Sequence, residues 1–207
     1  MTFSTPQEDF WAGEFGSRYS ERNSLSPKVH ASNLAFFVRA LQRTSGIRTI
    51  IELGANIGLN VRALRTLLPE AEISAIEINP DAFSALSPLC NGMAINGSIL
   101  ETELEPSYDL SFTKTVLIHI PPEHLDDVYR KLHEASRRYI LVAEYYNPTP
   151  VSVTYRGHQD RLFKRDFSGE LLDRFKDLRL IDYGFAYSRD PNHPQDDISW
   201  FLLEKGA

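Results

Sequence analysis

Residues 50–58 read Ile50-Ile51-Glu52-Leu53-Gly54-Ala55-Asn56-Ile57-Gly58, and the fold turns on how this stretch is read. Arg48 to Leu53 is a short apolar run. Leu59 to Leu68 follows with apolar residues at helical spacing, ended by Pro69. A strand that turns through glycines into a helix is a nucleotide-binding shape, because glycine accepts positive φ and lets a ligand approach the main chain. Gly54 stands where that approach happens, and Gly58 where helix and strand pack closely. Asn56 occupies the place of the middle glycine of a dinucleotide fingerprint, which argues against a pyrophosphate ligand. Asparagine takes positive φ more readily than most residues, so the turn remains feasible. By itself the stretch suits a plain tight βα turn as well as a ligand turn.

Working outward, Ile73 to Ile78 reads as the next strand and carries Glu77 near its end, about twenty residues past the turn. An acid there accepts hydrogen bonds from two ribose hydroxyls; a solvent-facing glutamate is the plainer alternative. Asn79-Pro80 then starts a helix, with an Asx cap and proline at the first helical position. Met93 to Asn96 and Tyr108 to Phe112 are further strands, Pro121 to Ser136 is a patterned helix, and Tyr139 to Glu144 is a buried strand. Strands alternating with helices predict a parallel sheet covered on both faces. Leu178 to Ala186 and Ile198 to Glu204 predict an antiparallel closing hairpin, after a helix over Phe167 to Phe175. Upstream, Glu8 to Arg22 spaces Phe10, Trp11, Phe15 and Tyr19 as one amphipathic helix, and Leu34 to Leu41 gives a second. The whole chain, 1–207, reads as one domain with an N-terminal helical cap (1–46). Residues 145–166 read as a long loop on the substrate side.

The bulk figures agree with a globular protein: 42% hydrophobic and 24% charged residues in a 207-residue chain. Cys90 is the lone cysteine, so neither an intrachain disulfide nor a cysteine-built metal site is expected, and no metal is implied. No apolar run is long enough for a membrane span, and the acidic N-terminus lacks a secretory pattern. A cytoplasmic location fits both. A net charge of −6 favours a small-molecule partner over nucleic acid, whose binders depend on basic surfaces. A monomer or a homodimer is equally compatible with the sequence.

On these residues the chain resembles the class I S-adenosylmethionine-dependent methyltransferases: ELGANIG is similar to their first motif, and Glu77 to their ribose-binding acid. More narrowly it resembles the pseudaminic acid biosynthesis-associated methylases. The matching segments are FWAGEFGSRYSERN (10–23), IIELGANIGLNVRAL (50–64), VLIHIPPEHL (116–125), EYYNPTPVSVTYRGHQDRLFKRDFSGE (144–170), DYGF (182–185) and DDISWFLLEK (196–205). The resemblance implies an α/β Rossmann-like sheet of seven strands, mostly parallel with an antiparallel C-terminal strand, and helices on both faces. It also implies S-adenosylmethionine as cofactor and a link to surface-glycan biosynthesis. By the same implication Glu52, Gly54, Asn56 and Gly58 border the methionine moiety, and Glu77 with Ile78 the ribose. The amides of Ser98 and Ile99 would meet adenine, while Thr113 and Lys114 edge the sulfonium. Many methyltransferases of this class place an acid beside adenine, where this chain has Ser98. Tyr19 and Arg22, three apart on one helical face, could close over the donor's carboxylate, or Arg22 merely caps its own helix end.

Methyl transfer from a sulfonium chiefly requires alignment of the acceptor, with a general base where a hydroxyl is methylated. The candidates are His119, Glu144 and Tyr146, at the ends of the fourth and fifth strands, where open α/β sheets bind ligands. A packed or capping histidine is the plainer reading of His119. Tyr145, Asn147, Tyr155, Arg156, His158, Lys164 and Arg165 are candidates for gripping a polar or anionic acceptor, since arginine suits carboxylate and phosphate. A solvated charged loop is the plain alternative for that run. The acceptor expected is a sugar, a nucleotide-sugar or an amino-acid-like metabolite. A non-catalytic scaffold that binds the cofactor is the competing reading; an NAD-dependent oxidoreductase is disfavoured by Asn56.

Overall fold

The computed structural model describes residues 3–23 and 25–206. Its centre is a seven-stranded sheet of β1 (Thr49–Leu53), β2 (Glu72–Glu77), β3 (Ala94–Asn96), β4 (Tyr108–Lys114), β5 (Ser136–Glu144), β8 (Leu178–Ala186) and β9 (Ile198–Lys205). Their order is β3-β2-β1-β4-β5-β9-β8. β3, β2, β1, β4 and β5 pair in parallel, whereas β9 runs antiparallel to both β5 and β8. The strand direction predicted for the end of the chain is therefore observed.

Two apolar layers hold helices on the faces. On one, Phe37 of α3 (Pro27–Ala40) and Val61 and Leu64 of α4 (Leu59–Leu67) pack on Ile50, Phe112 and Leu141. On the other, Val128 and Leu132 of α6 (Leu125–Ala135) and Leu171 of α7 (Phe167–Arg174) pack on Ile51, Ile140 and Leu203. Each of these side chains is fully buried. Complete burial of a residue of this size contributes about 1.5–3 kcal/mol. Because both faces are covered, β1 and the second half of β5 read as nearly continuous apolar runs.

Three elements differ from their sequence reading. The single N-terminal helix is two, α1 (Pro6–Ala12) and α2 (Glu14–Arg22), broken where Gly13 is extended. The sharp bend brings α2 against the end of α1, and a Cβ at Gly16 would lie 1.8 Å from the Trp11 carbonyl oxygen. Helix α3 begins seven residues before the expected Leu34, at Pro27 after the N-cap Ser26. The loop at 145–166 is largely a hairpin of β6 (Val151–Tyr155) and β7 (His158–Lys164). Arg156 and Gly157 turn it with φ of 48° and 85°. Two consecutive positive φ values belong to a type I′ turn, and arginine is not a residue that announces one.

Asn79 ties the N-terminal helices to the sheet. Its Oδ1 accepts from the amides of Asp81 and Ala82 and caps α5 (Pro80–Leu86), as the sequence predicts. Its Nδ2 lies 3.1–3.2 Å from the carbonyl oxygens of Trp11, Ala12 and Gly13, the end of α1. Asn79→Ala removes both the cap and the only side-chain donor to those carbonyls among the described residues. It should lower unfolding free energy in a urea titration by about 2–3 kcal/mol. Asn79→Asp keeps the capping oxygen but sets a carboxylate oxygen against those three carbonyls, so it should destabilise at least as much.

Candidate active site

A cavity of about 600 Å³ opens at the carboxyl ends of β1, β2, β3 and β4, beneath α1, α2 and the start of α3. That volume lies within the usual range for small-molecule sites. Its floor is the turn after β1. Gly54 has φ of 79° and stands against Val116, whose Cγ2 would be 2.7 Å from an added Cβ. Asn56 has φ of 48°, and its amide donates to Glu77 Oε2 at 2.7 Å. Glu77 Oε1 accepts from the Asn79 amide at 2.7 Å. Burial raises the Glu77 pKa, and the bonds from Asn79 and Asn56 oppose that rise. A carboxylate has about four acceptor sites, so Glu77, which borders the cavity, keeps acceptor capacity beyond these bonds.

Of the residues expected to meet the cofactor, Tyr19, Arg22, Gly54, Asn56, Glu77, Ile78, Ser98, Ile99 and Lys114 border this cavity. The amides of Ser98 and Ile99 donate to no protein acceptor among the described residues. Glu52, Gly58 and Thr113 stand outside it. Gly58, with φ of 77°, starts α4 and packs on Leu86 and Leu89. Thr113 is fully buried beneath Glu144. Glu52 is fully buried; its Oε1 accepts from Asn60 at 2.6 Å, and its Oε2 has no partner among the described residues. Asn60 borders the cavity, so Glu52 is linked to it only through this bond.

The acceptor-side candidates divide differently. His119 borders the cavity, its ring 4.5 Å from that of Trp11 and 5.1 Å from that of Tyr155. Its Nδ1 lies 2.6 Å from the Arg161 carbonyl oxygen. A carbonyl only accepts, so Nδ1 carries the proton and Nε2 is left as an acceptor. Burial pushes its pKa down to about 4, against the bond to Arg161.

The structure does not bring the other acceptor-side candidates to the cavity wall. Glu144 points its carboxylate under the turn after β4, accepting from the amides of Val116 (2.9 Å) and Leu117 (3.0 Å). Burial raises its pKa to about 7, and those amides oppose the rise. Tyr146 is 42% exposed and tilts against Phe201, and Asn147 bonds to Thr149 within its own turn. Tyr145 lies under Lys164, Arg165 pairs with Glu170, and Arg156 stacks on Tyr155. His158 and Tyr155 pack on α1 and α2 through Phe10, Trp11 and Phe15. The segment expected as one loop over the site is a hairpin, and its side chains are taken up by their neighbours.

Several wall residues escaped the sequence reading. Lys28, Ser32 and Asn33 come from the unrecognised first half of α3, and Pro194, Gln195 and Asp196 from the polar segment before β9. Gln195 Nε2 donates to Asn33 Oδ1 at 3.0 Å and joins the two. Ser32 Oγ and Trp11 Nε1, both in the wall, have no hydrogen-bond partner among the described residues. Lys114 lies 5.5 Å from the Phe36 ring centroid; burial lowers its pKa, and the charges of Asp196, Glu52 and Glu144 oppose this. Among the described residues no group of three or more His, Cys, Asp or Glu is placed to hold a metal ion, and no helix is long and apolar enough to cross a membrane.

No family model matches the sequence, and no characterised protein matches it at a significant level. Solved structures do match the fold. The Burkholderia thailandensis 1,6-didemethyltoxoflavin-N1-methyltransferase with bound 1,6-didemethyltoxoflavin and S-adenosylhomocysteine is 13% identical, with a TM-score of 0.68 over 100% of this chain and 93% of that one. Magnesium protoporphyrin IX methyltransferase from Synechocystis PCC 6803 with bound S-adenosylhomocysteine is 12% identical, with a TM-score of 0.66 over 96% and 97%. A plantazolicin methyltransferase in complex with S-adenosylhomocysteine is 12% identical, with a TM-score of 0.61 over 97% and 94%. The fold of this chain is that of the class I S-adenosylmethionine-dependent methyltransferases.

Burial raises the Glu52 pKa from about 4.5 to about 8, with the Asn60 bond and Lys114 opposing it and Glu77 adding to it. Between those values the unfolded chain releases this proton and the folded chain keeps it, so stability falls as pH rises through the window. Glu52→Gln removes the dependence. In denaturant titrations the variant should match the native protein near pH 4 and exceed it by about 3–5 kcal/mol near pH 8.5.

Proposed function

We propose that the chain is an S-adenosylmethionine-dependent methyltransferase, with the donor in the cavity at the ends of β1 to β4. One conjunction carries the reading: the positive-φ turn at Gly54 and Asn56, the buried Glu77 with open acceptor sites, and the unpaired amides of Ser98 and Ile99 border one cavity. The residues fit the group in order along the wall. Gly54 and Asn56 would take the methionine end, with Tyr19 and Arg22 above it. Glu77 would take the ribose hydroxyls, and the Ser98 and Ile99 amides the adenine edge. When bound, the donor supplies a methyl group already activated on a sulfonium.

The acceptor is a small polar or anionic molecule. Beyond the donor's share, the wall carries Lys28 and Lys114 with Asp196, and the unpartnered Ser32 hydroxyl. Cations with hydrogen-bonding neighbours suit a carboxylate, a phosphate or a sugar hydroxyl. A sugar, nucleotide-sugar or amino-acid-like metabolite of a surface-glycan pathway agrees with this wall and with the resemblance to the pseudaminic acid-associated methylases. In the transfer, the acceptor's lone pair forms the new bond to the methyl carbon while the sulfur–methyl pair returns to sulfur. His119 Nε2 takes the proton when the acceptor is a hydroxyl.

Calorimetry should show S-adenosylhomocysteine binding to the folded native protein. Glu77→Gln should weaken that binding by about 1.5–3 kcal/mol, the worth of hydrogen bonds to a charged group. Absence of binding by the native protein would remove the reading. Once an acceptor is found by methyl-label transfer, His119→Ala should lower kcat about 10²–10⁴-fold for a hydroxyl acceptor, with donor affinity within threefold. The native enzyme should lose activity only as pH falls toward about 4, where His119 becomes protonated.

A further inference from the structure

We propose that Glu8, carried by the N-terminal helix α1, accepts from the exocyclic amine of the donor's adenine, so that base recognition depends on α1 being seated. The inference rests on the donor-site reading above. Glu8 is 7% exposed and borders the cavity, where Ser98, Ile99 and Leu100 approach from the β3 side. Its two oxygens do different things. Oε2 closes a capping box on α1, accepting from the Thr5 amide at 2.8 Å and the Ser4 amide at 3.0 Å, with both hydroxyls alongside. Oε1 accepts from the Ser98 hydroxyl alone among the described residues, across ninety positions of sequence. That oxygen, turned toward β3, keeps an acceptor site.

Burial works to raise the Glu8 pKa, but the bonds from Ser98, Ser4 and Thr5 outweigh it and hold the group below the usual carboxylate range. Glu8 is thus an anion at neutral pH. The cavity end therefore offers free amide donors at Ser98 and Ile99 beside an anionic acceptor. Adenine presents the complement, an accepting N1 beside a donating amine. Hypoxanthine reverses both positions, with a donating N1 and an accepting O6, and would set O6 against the carboxylate. The base-side acceptor is thus supplied by a segment remote in sequence from β3. Helix α1 is itself braced from outside, because Gln7 Nε2 donates to the Asp160 carbonyl on the β6–β7 hairpin at 3.0 Å.

The test is calorimetric binding of S-adenosylhomocysteine and S-inosylhomocysteine to the full chain and to Glu8→Gln and Ser98→Ala, with thermal unfolding to confirm that each is folded. Glutamine is an accepted partner in a capping box, so Glu8→Gln keeps α1. The native protein should prefer the adenosyl compound about tenfold to a hundredfold, as expected for one charged hydrogen bond. Glu8→Gln should shrink that preference to below about threefold, because its amide donates to O6. Ser98→Ala should retain it. Equal weakening of both ligands in Glu8→Gln, with the native preference intact, would reduce Glu8 to a staple for the cap and overturn the proposal. A native protein that binds both compounds equally would also overturn it. Failure to bind either would instead overturn the donor site itself.

Discussion

The cavity depends on how the main chain ends its strands. Where β1 and β2 stop, their turns leave amide groups inside the protein, and a buried amide without a partner costs about 1–3 kcal/mol. The Glu77 carboxylate answers this at two places, taking the amide of Asn56 from one turn and that of Asn79 from the other. The first bond holds Asn56 in its left-handed conformation. The second fixes Asn79, which in turn holds the end of α1. One carboxylate thereby sets the floor of the cavity and, through its neighbour, the position of the roof.

The same device recurs twice with different charge. Glu144 gathers the amides of Val116 and Leu117 beneath the turn after β4. Glu8 gathers those of Ser4 and Thr5 at the start of α1. Desolvation raises Glu144 to about 7, whereas Glu8, with three hydroxyl donors as well, stays below the usual range. The balance between burial and donors decides which acid carries charge at neutral pH. Glu52 has a single amide donor and nothing on its second oxygen, so burial dominates there. These glutamates share a residue type and a region, yet they differ in what they hold and in the direction of their pKa shifts.

Local chemistry made much of the sheet legible in the sequence. Asn79-Pro80 is a cap that announces its helix, and the apolar runs at β1, β2 and β5 follow from burial on both faces. The reversed strand was legible because two strands without an intervening helix at the end of a βα chain have to return antiparallel. Elements whose shape depends on distant neighbours were not. Arg156 is held at positive φ by the hairpin that forms around it, and the break at Gly13 needs the packing of Gly16 on Trp11 to become a sharp bend. Within the site, the turn and Glu77 could be read because strand ends and spacing place them. Glu8, Lys28 and Gln195 could not, since tertiary contact alone brings α1, α3 and the segment before β9 to the cavity.

That division bears on where specificity resides. The charged run from Arg156 to Arg165 looked suited to gripping an anion, but its members spend themselves on Tyr155, Phe10 and Glu170. The hairpin is nonetheless connected to the site. Tyr155 rests on His119 and Trp11, and His158 lies against Phe10 and Phe15 of the helices that roof the cavity. A side chain that holds a roof affects every ligand beneath it, whereas one that faces a ligand distinguishes among ligands. On this geometry the hairpin packs behind the roof of the cavity and does not line it. Lys114 and the Asn33–Gln195 seam, by contrast, meet the cavity directly.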